Sequence, residues 1–222
     1  DFEKSKRKRF VSKISTGDYD AIIMGHSSFE KIPVSKERTE KMLRKQIQDI
    51  IFAIKEVKEQ KGEQFTIKQM ERTRKGLEAR LEKLMNEDKK DDVVTFEELG
   101  VDNIFCDEAH YFKNMFLFTK MRNVAGISQT EAKKSTDMFM KCQYINELSK
   151  GRGIVFATGT PVSNSIVELF TMQRYLQIDQ LEEQGLSHFD AWASTFGETI
   201  SALELSPDGN GYRVKTRFAK FY

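Results

Sequence analysis

Residues 103–110 read NIFCDEAH, and this stretch decides the fold. Its apolar part predicts a short buried strand, and two acids, Asp107 and Glu108, follow the strand at once. A second apolar run, IVFA at 154–157, comes after a segment at 136–150 whose apolar residues recur at helical spacing. Strand, helix and strand in this order predict a parallel βαβ unit, and hence an α/β fold.

The position of the two acids suggests a chemical role. In an open parallel sheet, the loops that leave the carboxyl ends of the strands line the ligand-binding crevice. Carboxylates there can divide the work of metal-assisted phosphoryl transfer, since one can hold Mg²⁺ while the other deprotonates the attacking water. The letters DEAH are a weak signal alone, because Asp107 and Glu108 can also cap a helix after the strand.

The residues around both strand ends carry a more specific resemblance. The first motif extends to DEAHYFKN at 107–114, and the second strand runs into TGTPVSN at 158–164, followed by IVELF at 166–170. In this order and spacing, the pair resembles the second and third motifs of superfamily-2, Swi/Snf-like DNA translocases more than those of DEAH-box RNA helicases. The resemblance implies a partial RecA-like lobe, a parallel sheet flanked by helices.

The resemblance also implies roles for single residues. Asp107 would hold Mg²⁺, Glu108 would activate the hydrolytic water, and His110 would couple the nucleotide state to neighbouring motifs. ATP and Mg²⁺ are the implied cofactors of the parent protein. Outside this family, the same acidic, histidine and threonine residues are ordinary turn or helix-cap residues. The loop that links hydrolysis to DNA movement would comprise Thr158, Gly159 and Thr160.

A segment upstream of the first motif resembles the DNA-contacting region of the same family. Residues 19–24, YDAIIM, predict a buried strand that feeds a loop at 25–33. Short polar groups in such a loop can donate to phosphates without reading the base sequence, so His26, Ser27 and Ser28 are the candidate contacts to double-stranded DNA. Alternatively, Ser27 and Ser28 are ordinary turn residues without a role in binding.

Between these segments lies a stretch typical of an antiparallel helical hairpin. Ser35 is a candidate N-cap, and apolar residues recur at helical spacing up to Val57. Thr66 and Gln69 form a capping-box pattern that predicts the start of a second helix. Because charges of both signs are interspersed along 35–90, the sequence favours a structural or partner-docking coiled coil over direct nucleic-acid contact.

These patterns divide the chain into three parts. We expect the partial RecA-like lobe over 1–34 and 91–184, the inserted hairpin over 35–90, and a helical or irregular extension over 185–222. Two further helices are predicted, at 166–177 and 189–196.

The composition excludes several classes of protein. The 222 residues are 39% hydrophobic and 32% charged, which is ordinary for a folded chain. Two isolated cysteines support neither a disulfide framework nor a zinc site, and they fit a reducing cytoplasm. No apolar run approaches the roughly 18 residues of a membrane span. We therefore expect a cytoplasmic protein without a membrane partner.

The sequence lacks one motif of the family, the phosphate-binding loop. A translocase of this kind needs a glycine-rich phosphate-binding loop that ends in GKS or GKT, and the sequence contains none. We therefore expect that loop before the first residue and a second helicase lobe after the last one. The chain alone should have no appreciable ATPase activity.

Three functional interpretations remain open. The helical insertion and the residues around both motifs resemble those of large phage and conjugative-element proteins. In these proteins a Swi/Snf-like helicase is joined to an adenine-type DNA methylase. The present sequence contains no methyl-donor motif. One alternative is a catalytically inactive nucleic-acid-binding or scaffolding module that uses the hairpin. The other is a metal-dependent hydrolase that uses Asp107 and Glu108 without a nucleotide.

Overall fold

The chain forms two compact units, Asp1–Val101 and Asp102–Tyr222, in a computed structural model. The structure describes residues 4–59, 64–86, 94–119, 121, 132–163, 165–206 and 209–221. Within these ranges, no helix has the length and apolar character that crossing a membrane requires. The domain boundaries expected from the sequence stay a prediction.

The first unit is helical. Ser35 caps its longest helix as predicted, because the Arg38 backbone N–H donates to the Ser35 hydroxyl at 3.3 Å. The capping box at Thr66 is wrong, since the second long helix already includes Gln64. The helices are α1 (Lys4–Thr16), α2 (His26–Phe29), α3 (Lys36–Glu59) and α4 (Gln64–Asn86), and a 3₁₀ turn follows at Phe96–Leu99.

Helices α3 and α4 form the antiparallel hairpin that the sequence predicts. Contacts at both ends establish the direction: the Lys36 ammonium donates to the Met85 carbonyl at 3.4 Å, and Lys58 lies 3.7 Å from the Glu71 carboxylate. The turn near Gly62 lies outside the described residues. Apolar side chains of both helices are buried, namely Leu43, Ile50, Ala53, Ile54 and Val57 of α3 and Met70 and Leu77 of α4.

One carboxylate anchors the base of this hairpin. Glu97 accepts the Ser35 backbone N–H at 3.0 Å and the Ser35 hydroxyl at 2.8 Å, and it pairs with Arg38 at 3.1 Å. The Phe96 backbone N–H donates to the Pro33 carbonyl at 2.7 Å. The segment that follows the hairpin is thus hydrogen-bonded to the segment that precedes it.

The strand predicted at 19–24 is wrong. Residues 18–25 have no regular structure, and Ile23 is 98% exposed. A strand requires a neighbour that satisfies its backbone groups, and the strands of the described chain pair only with one another in two separate sheets. Apolar letters alone therefore do not produce a strand here.

The second unit contains the predicted βαβ element. Its main elements are β1 (Ile104–Cys106), a 3₁₀ turn (Ala109–Phe112), α5 (Lys133–Ser149), β2 (Ile154–Phe156), α6 (Val167–Glu183), α7 (Phe189–Phe196), β3 (Gly197–Leu205) and β4 (Tyr212–Phe221). Strands β1 and β2 are parallel, with Ile104 opposite Ile154 and Cys106 opposite Phe156. The mixed α/β class and a parallel sheet consistent with a partial RecA-like fold are confirmed.

Aromatic side chains build the core beside this sheet. Trp192 is 2% exposed and packs against Phe170 and Phe189, with ring centroids 5.3 and 6.2 Å away. Its indole N–H donates to the Gln173 side chain at 2.7 Å. Helix α6 is interrupted at Gln177, whose φ of −149° is not helical. The predicted end of this helix therefore coincides with a kink.

The extension at 185–222 differs from the prediction. Helix α7 is present as predicted, but the segment beyond it is an antiparallel hairpin of β3 and β4 rather than helical or irregular chain. Leu205 pairs with Tyr212 next to the turn. The signal that was missed is the alternation of basic residues with other residues in YRVKTRF at 212–218, directly after a glycine-containing turn, which is typical of a β-strand.

Candidate functional site

Main-chain hydrogen bonds join the two strand-end loops that contain the candidate residues. The Ala157 N–H donates to the Cys106 carbonyl at 2.8 Å, and the Ala109 N–H donates to the Ala157 carbonyl at 3.0 Å. The parallel ladder thus continues beyond both strands. The acidic motif and the threonine-rich motif, which are about fifty residues apart in sequence, lie side by side.

Glu108 adopts a conformation that few residues other than glycine adopt. Its φ of 52° and ψ of 42° lie in the left-handed region. Such a conformation costs on the order of 1–3 kcal/mol and persists where the surrounding structure enforces it. Here the Glu108 N–H donates to the Asp107 carboxylate at 2.9 Å, and the buried Ala109 fixes the next position. The turn ends the strand sharply and leaves both carboxylates exposed.

His110 connects the two loops through its side chain. Its Nδ1 atom lies 3.1 Å from the Thr158 hydroxyl and 3.1 Å from a Glu108 carboxylate oxygen. Two acceptors cannot attract each other, so the carboxylate contact requires a hydrogen on Nδ1. The Thr160 backbone N–H donates to the same Thr158 hydroxyl at 3.1 Å. A continuous polar chain therefore runs from Glu108 to the threonine loop.

The donor groups fit a magnesium ion of the kind used in phosphoryl transfer. Mg²⁺ in such sites takes one or two carboxylates and fills its remaining positions with water and substrate phosphates. Asp107 offers an exposed carboxylate at the strand end. Across the described ranges, no group of three or more metal-ligating side chains occurs. Asp107 is a candidate ligand for such an ion.

A largely buried ion pair joins the end of the first motif to the segment that follows the second motif. The Lys113 ammonium donates to the Glu168 carboxylate at 2.9 Å and to the Ser163 hydroxyl at 3.1 Å. The same carboxylate accepts the Ser163 backbone N–H at 2.6 Å. The side chains of Lys113 and Glu168 are only 8% and 14% exposed. We call this pair the Lys113–Glu168 clasp.

Tyr175 on α6 connects the end of the first motif to α5 through its hydroxyl group. Its hydroxyl lies 2.9 Å from the backbone carbonyls of both Phe112 and Ser135. Asn146 in turn donates to the Tyr175 carbonyl at 3.0 Å. Burial raises the pKa of Tyr175 well above its ordinary value, so the phenol remains a hydrogen-bond donor. The end of the acidic motif, α5 and α6 therefore meet at one side chain.

The three candidate DNA-contacting residues have a different setting. His26, Ser27 and Ser28 form a short helical turn, α2, and not the predicted loop. The Ser28 N–H donates to the Gly25 carbonyl at 2.9 Å. They belong to the first unit, whereas the other candidates belong to the second. Their contact with DNA stays a prediction.

Sequence reasoning did not identify the clasp or the role of Tyr175. Lys113 and Glu168 both lie in the segments that carry the family resemblance, but they are 55 residues apart and no sequence pattern pairs them. The aromatic Tyr175 sits in an apolar helix where packing alone explains it. Asn164, the last letter of the second motif, lies outside the described residues.

Comparisons with known proteins concern the chain as a whole. A family described as "Probable helicase domain" matches residues 1–222. "Defense against restriction protein B" of Escherichia phage P1 is 22% identical over 198 residues, which cover 85% of this chain and 8% of that protein. The chain thus spans a small part of this relative's length. No solved structure matches the chain. Because the family match extends over all 222 residues, the chain belongs to this family of helicase domains.

Proposed function

We propose that the chain is part of the first ATPase lobe of a Swi/Snf-like DNA helicase or translocase. The observation that carries the proposal is the junction of the two motifs through Glu108, His110 and Thr158, with both contacts at 3.1 Å. A hydrolytic carboxylate joined to a second loop by a histidine is the arrangement that couples bond cleavage to movement. The substrates proposed for the parent protein are ATP and double-stranded DNA, in the cytoplasm of a bacterial cell.

The residues divide the reaction as follows. Asp107 would hold Mg²⁺ through a carboxylate oxygen, and the ion would supply positive charge that offsets the negative charge developing during phosphoryl transfer. Glu108 orients the attacking water and accepts its proton. Its exposed carboxylate lies at the strand end, where ligands of open parallel sheets bind. The phosphate-binding loop is expected elsewhere in the parent polypeptide.

The histidine and threonine residues then transmit the change. When Glu108 accepts a proton, its carboxylate becomes a weaker acceptor for the His110 Nδ1–H group. The hydrogen bond of that group with Thr158 strengthens in turn, and Thr160 shares the same hydroxyl. The loop from Thr158 to Thr160 thereby senses the state of the hydrolytic site. We propose this loop, with Gly159 at its centre, as the part that moves relative to DNA.

The wider identity of the parent is also a proposal. The phage relative is named for defence against restriction, and this chain covers a small fraction of it. A large mobile-element protein with a second helicase lobe, and with a DNA methylase in the same polypeptide, is consistent with both the resemblance and that name. The partners proposed are therefore DNA and these two domains.

The test uses the intact polypeptide that contains this chain. DNA-stimulated ATP hydrolysis is measured for the wild type, for Glu108→Gln and for Glu183→Gln, an exposed acid at the end of α6 that serves as a matched control. Glu108→Gln should lower the turnover number by a factor of at least about 100, as expected when a general base is lost. The control should retain the wild-type rate.

Two results would contradict the proposal. The first is equal turnover for Glu108→Gln and the control. The second is DNA-stimulated hydrolysis by the 222-residue chain alone, since the nucleotide phosphates would then need no separate loop. An intact polypeptide with no ATPase activity that still binds DNA would favour the alternative, a nucleic-acid-binding module without catalysis.

A further inference from the structure

We infer that the outer face of α4 is a binding surface for the phosphate backbone of double-stranded DNA. Four cations define this face, Lys68, Arg72, Lys75 and Lys83, and all four side chains are exposed. We call them the α4 cation stripe. The inference rests on the proposed function for its choice of DNA, and it assigns a DNA contact to the inserted hairpin.

Helical geometry aligns the four cations. At about 100° per residue, they fall within an arc of about 80° around the α4 axis. Met70 and Leu77, the buried residues of α4, lie about 180° from the centre of that arc. The packing of α4 against α3 therefore directs the stripe away from the hairpin core. The stripe extends about 22 Å along the helix, given a rise of 1.5 Å per residue.

The acids of α4 lie along one flank of the stripe, about 20 to 60° beyond its edge. Glu71 is paired with Lys58 at 3.7 Å, and Glu78 is paired with Arg74 at 3.4 Å. Glu82 is the one acid at the edge of the stripe. No cation of the stripe forms an ion pair or a hydrogen bond with any other described residue. Charges that are interspersed in the sequence thus separate around the α4 axis, with the cations on one arc and the acids beyond one edge of it.

The chemistry of the stripe fits a duplex. Double-stranded DNA carries about one negative charge per 1.7 Å of axis, so a 22 Å stripe faces about 13 phosphates. Single-strand binders add aromatic side chains on which bases stack, and the stripe contains none. Between the cations lie only small residues, Gly76 and Ala79. A Cβ atom at Gly76 would meet no atom within 4 Å, so a phosphate backbone can approach closely.

The stripe predicts a specific salt dependence. Each cation that neutralises a phosphate contributes about −0.9 to the slope of log K against log salt concentration. The triple substitution Lys68→Gln, Arg72→Gln and Lys75→Gln should therefore reduce the magnitude of the slope by about 2.7. Between about 50 and 200 mM salt, the wild type should lose about 40-fold more affinity than this variant.

The matched control removes the same charge from paired cations. In Arg44→Gln, Lys55→Gln and Lys58→Gln, each cation has a carboxylate partner, at 2.8, 3.9 and 3.7 Å respectively. This variant should change the slope by less than about 1. A merely electrostatic effect of net charge would alter both triple variants equally.

The measurement is the fluorescence anisotropy of a labelled duplex of about 20 base pairs, titrated with the 222-residue chain at several salt concentrations. Circular dichroism verifies that each variant keeps its helices. If the triple variant fails to fold, the single substitution Lys83→Gln should still lower the slope by about 0.9. Arg72→Lys, which retains the charge, should keep the wild-type slope.

Three outcomes would overturn the inference. They are an unchanged slope in the stripe variant, equal losses in the stripe and control variants, and no binding of duplex at about 50 mM salt. Tighter binding of single strands than of duplex would also refute the assignment. None of these results depends on Glu108, so the ATPase test of the proposed function remains separate.

Discussion

Removing one partner of the Lys113–Glu168 clasp should destabilise the second unit strongly. Glu168→Gln preserves the shape of the side chain but leaves the Lys113 ammonium facing a neutral amide in a site where Lys113 is only 8% exposed. Breaking a buried pair costs about 3–5 kcal/mol, and the slight exposure of both groups reduces this to about 2–4 kcal/mol. The loss includes a weaker bond from the Ser163 N–H, now at 2.6 Å.

A double-mutant cycle isolates the pair itself. Lys113→Met, Glu168→Gln and the double variant are unfolded in urea, and the fluorescence of Trp192 reports on the second unit because the chain has one tryptophan. The double variant should be less destabilised than the sum of the single variants, with a coupling of about 1.5–3 kcal/mol. In thermal unfolding, each kcal/mol should lower Tm by about 2–4 °C.

The exposed pair of Arg44 and Glu40 supplies the comparison. Its distance is 2.8 Å, close to that of the clasp, but its side chains are 56% and 28% exposed. Water screens such a pair, so its coupling should be about 0.3–0.5 kcal/mol, measured by far-ultraviolet circular dichroism of the hairpin. If the clasp gave additive single effects to within about 0.5 kcal/mol, our reasoning from burial would be wrong.

Three further predictions test other parts of the second unit. Tyr175→Phe leaves two buried carbonyls without their donor and should destabilise the unit by about 1–3 kcal/mol in urea unfolding; a neutral effect would show that water replaces the phenol. Gly153→Ala should also be destabilising, because the new Cβ atom would lie 2.7 Å from a backbone carbonyl oxygen. Gly159 has open space around it, so Gly159→Ala should leave the stability nearly unchanged. Equal unfolding midpoints for the two variants would contradict this difference. Desolvation raises the pKa of Cys106 to about 11 and that of Cys142 well above its ordinary value, so both should react slowly with a thiol reagent at neutral pH and rapidly in denaturant. Because an unfolded thiol ionises near about pH 8.5, the stabilising contribution of the neutral Cys106 thiol is complete below that pH and is lost as the pH rises to about 11, which urea titrations across that range can verify.

The βαβ element was predictable because its determinants are local. The apolar runs at 104–106 and 154–156 are short, are bounded by polar residues and are separated by a segment with helical periodicity. Their parallel pairing then follows from the connection through a helix. The same local logic placed α7 and the hairpin of α3 and α4.

The errors share one physical cause. Residues 19–24 are as apolar as a buried strand, yet a strand forms only where another chain segment satisfies its backbone groups. The capping-box pattern at Thr66 is also found inside helices, so the four letters did not mark the true start of α4. Neither pattern is sufficient to define an element without the segments that surround it.

The sequence alone was enough to identify which chemical groups are present and where β1 and β2 end. It therefore located Asp107, Glu108 and the threonine loop, since motifs at strand ends are local features. Only the tertiary structure decided which groups meet: His110 with Thr158 at 3.1 Å, and the clasp across 55 residues. Distances between residues remote in sequence arise from packing, which no local pattern encodes, whereas the alignment of the α4 cations follows from the helical repeat of the sequence.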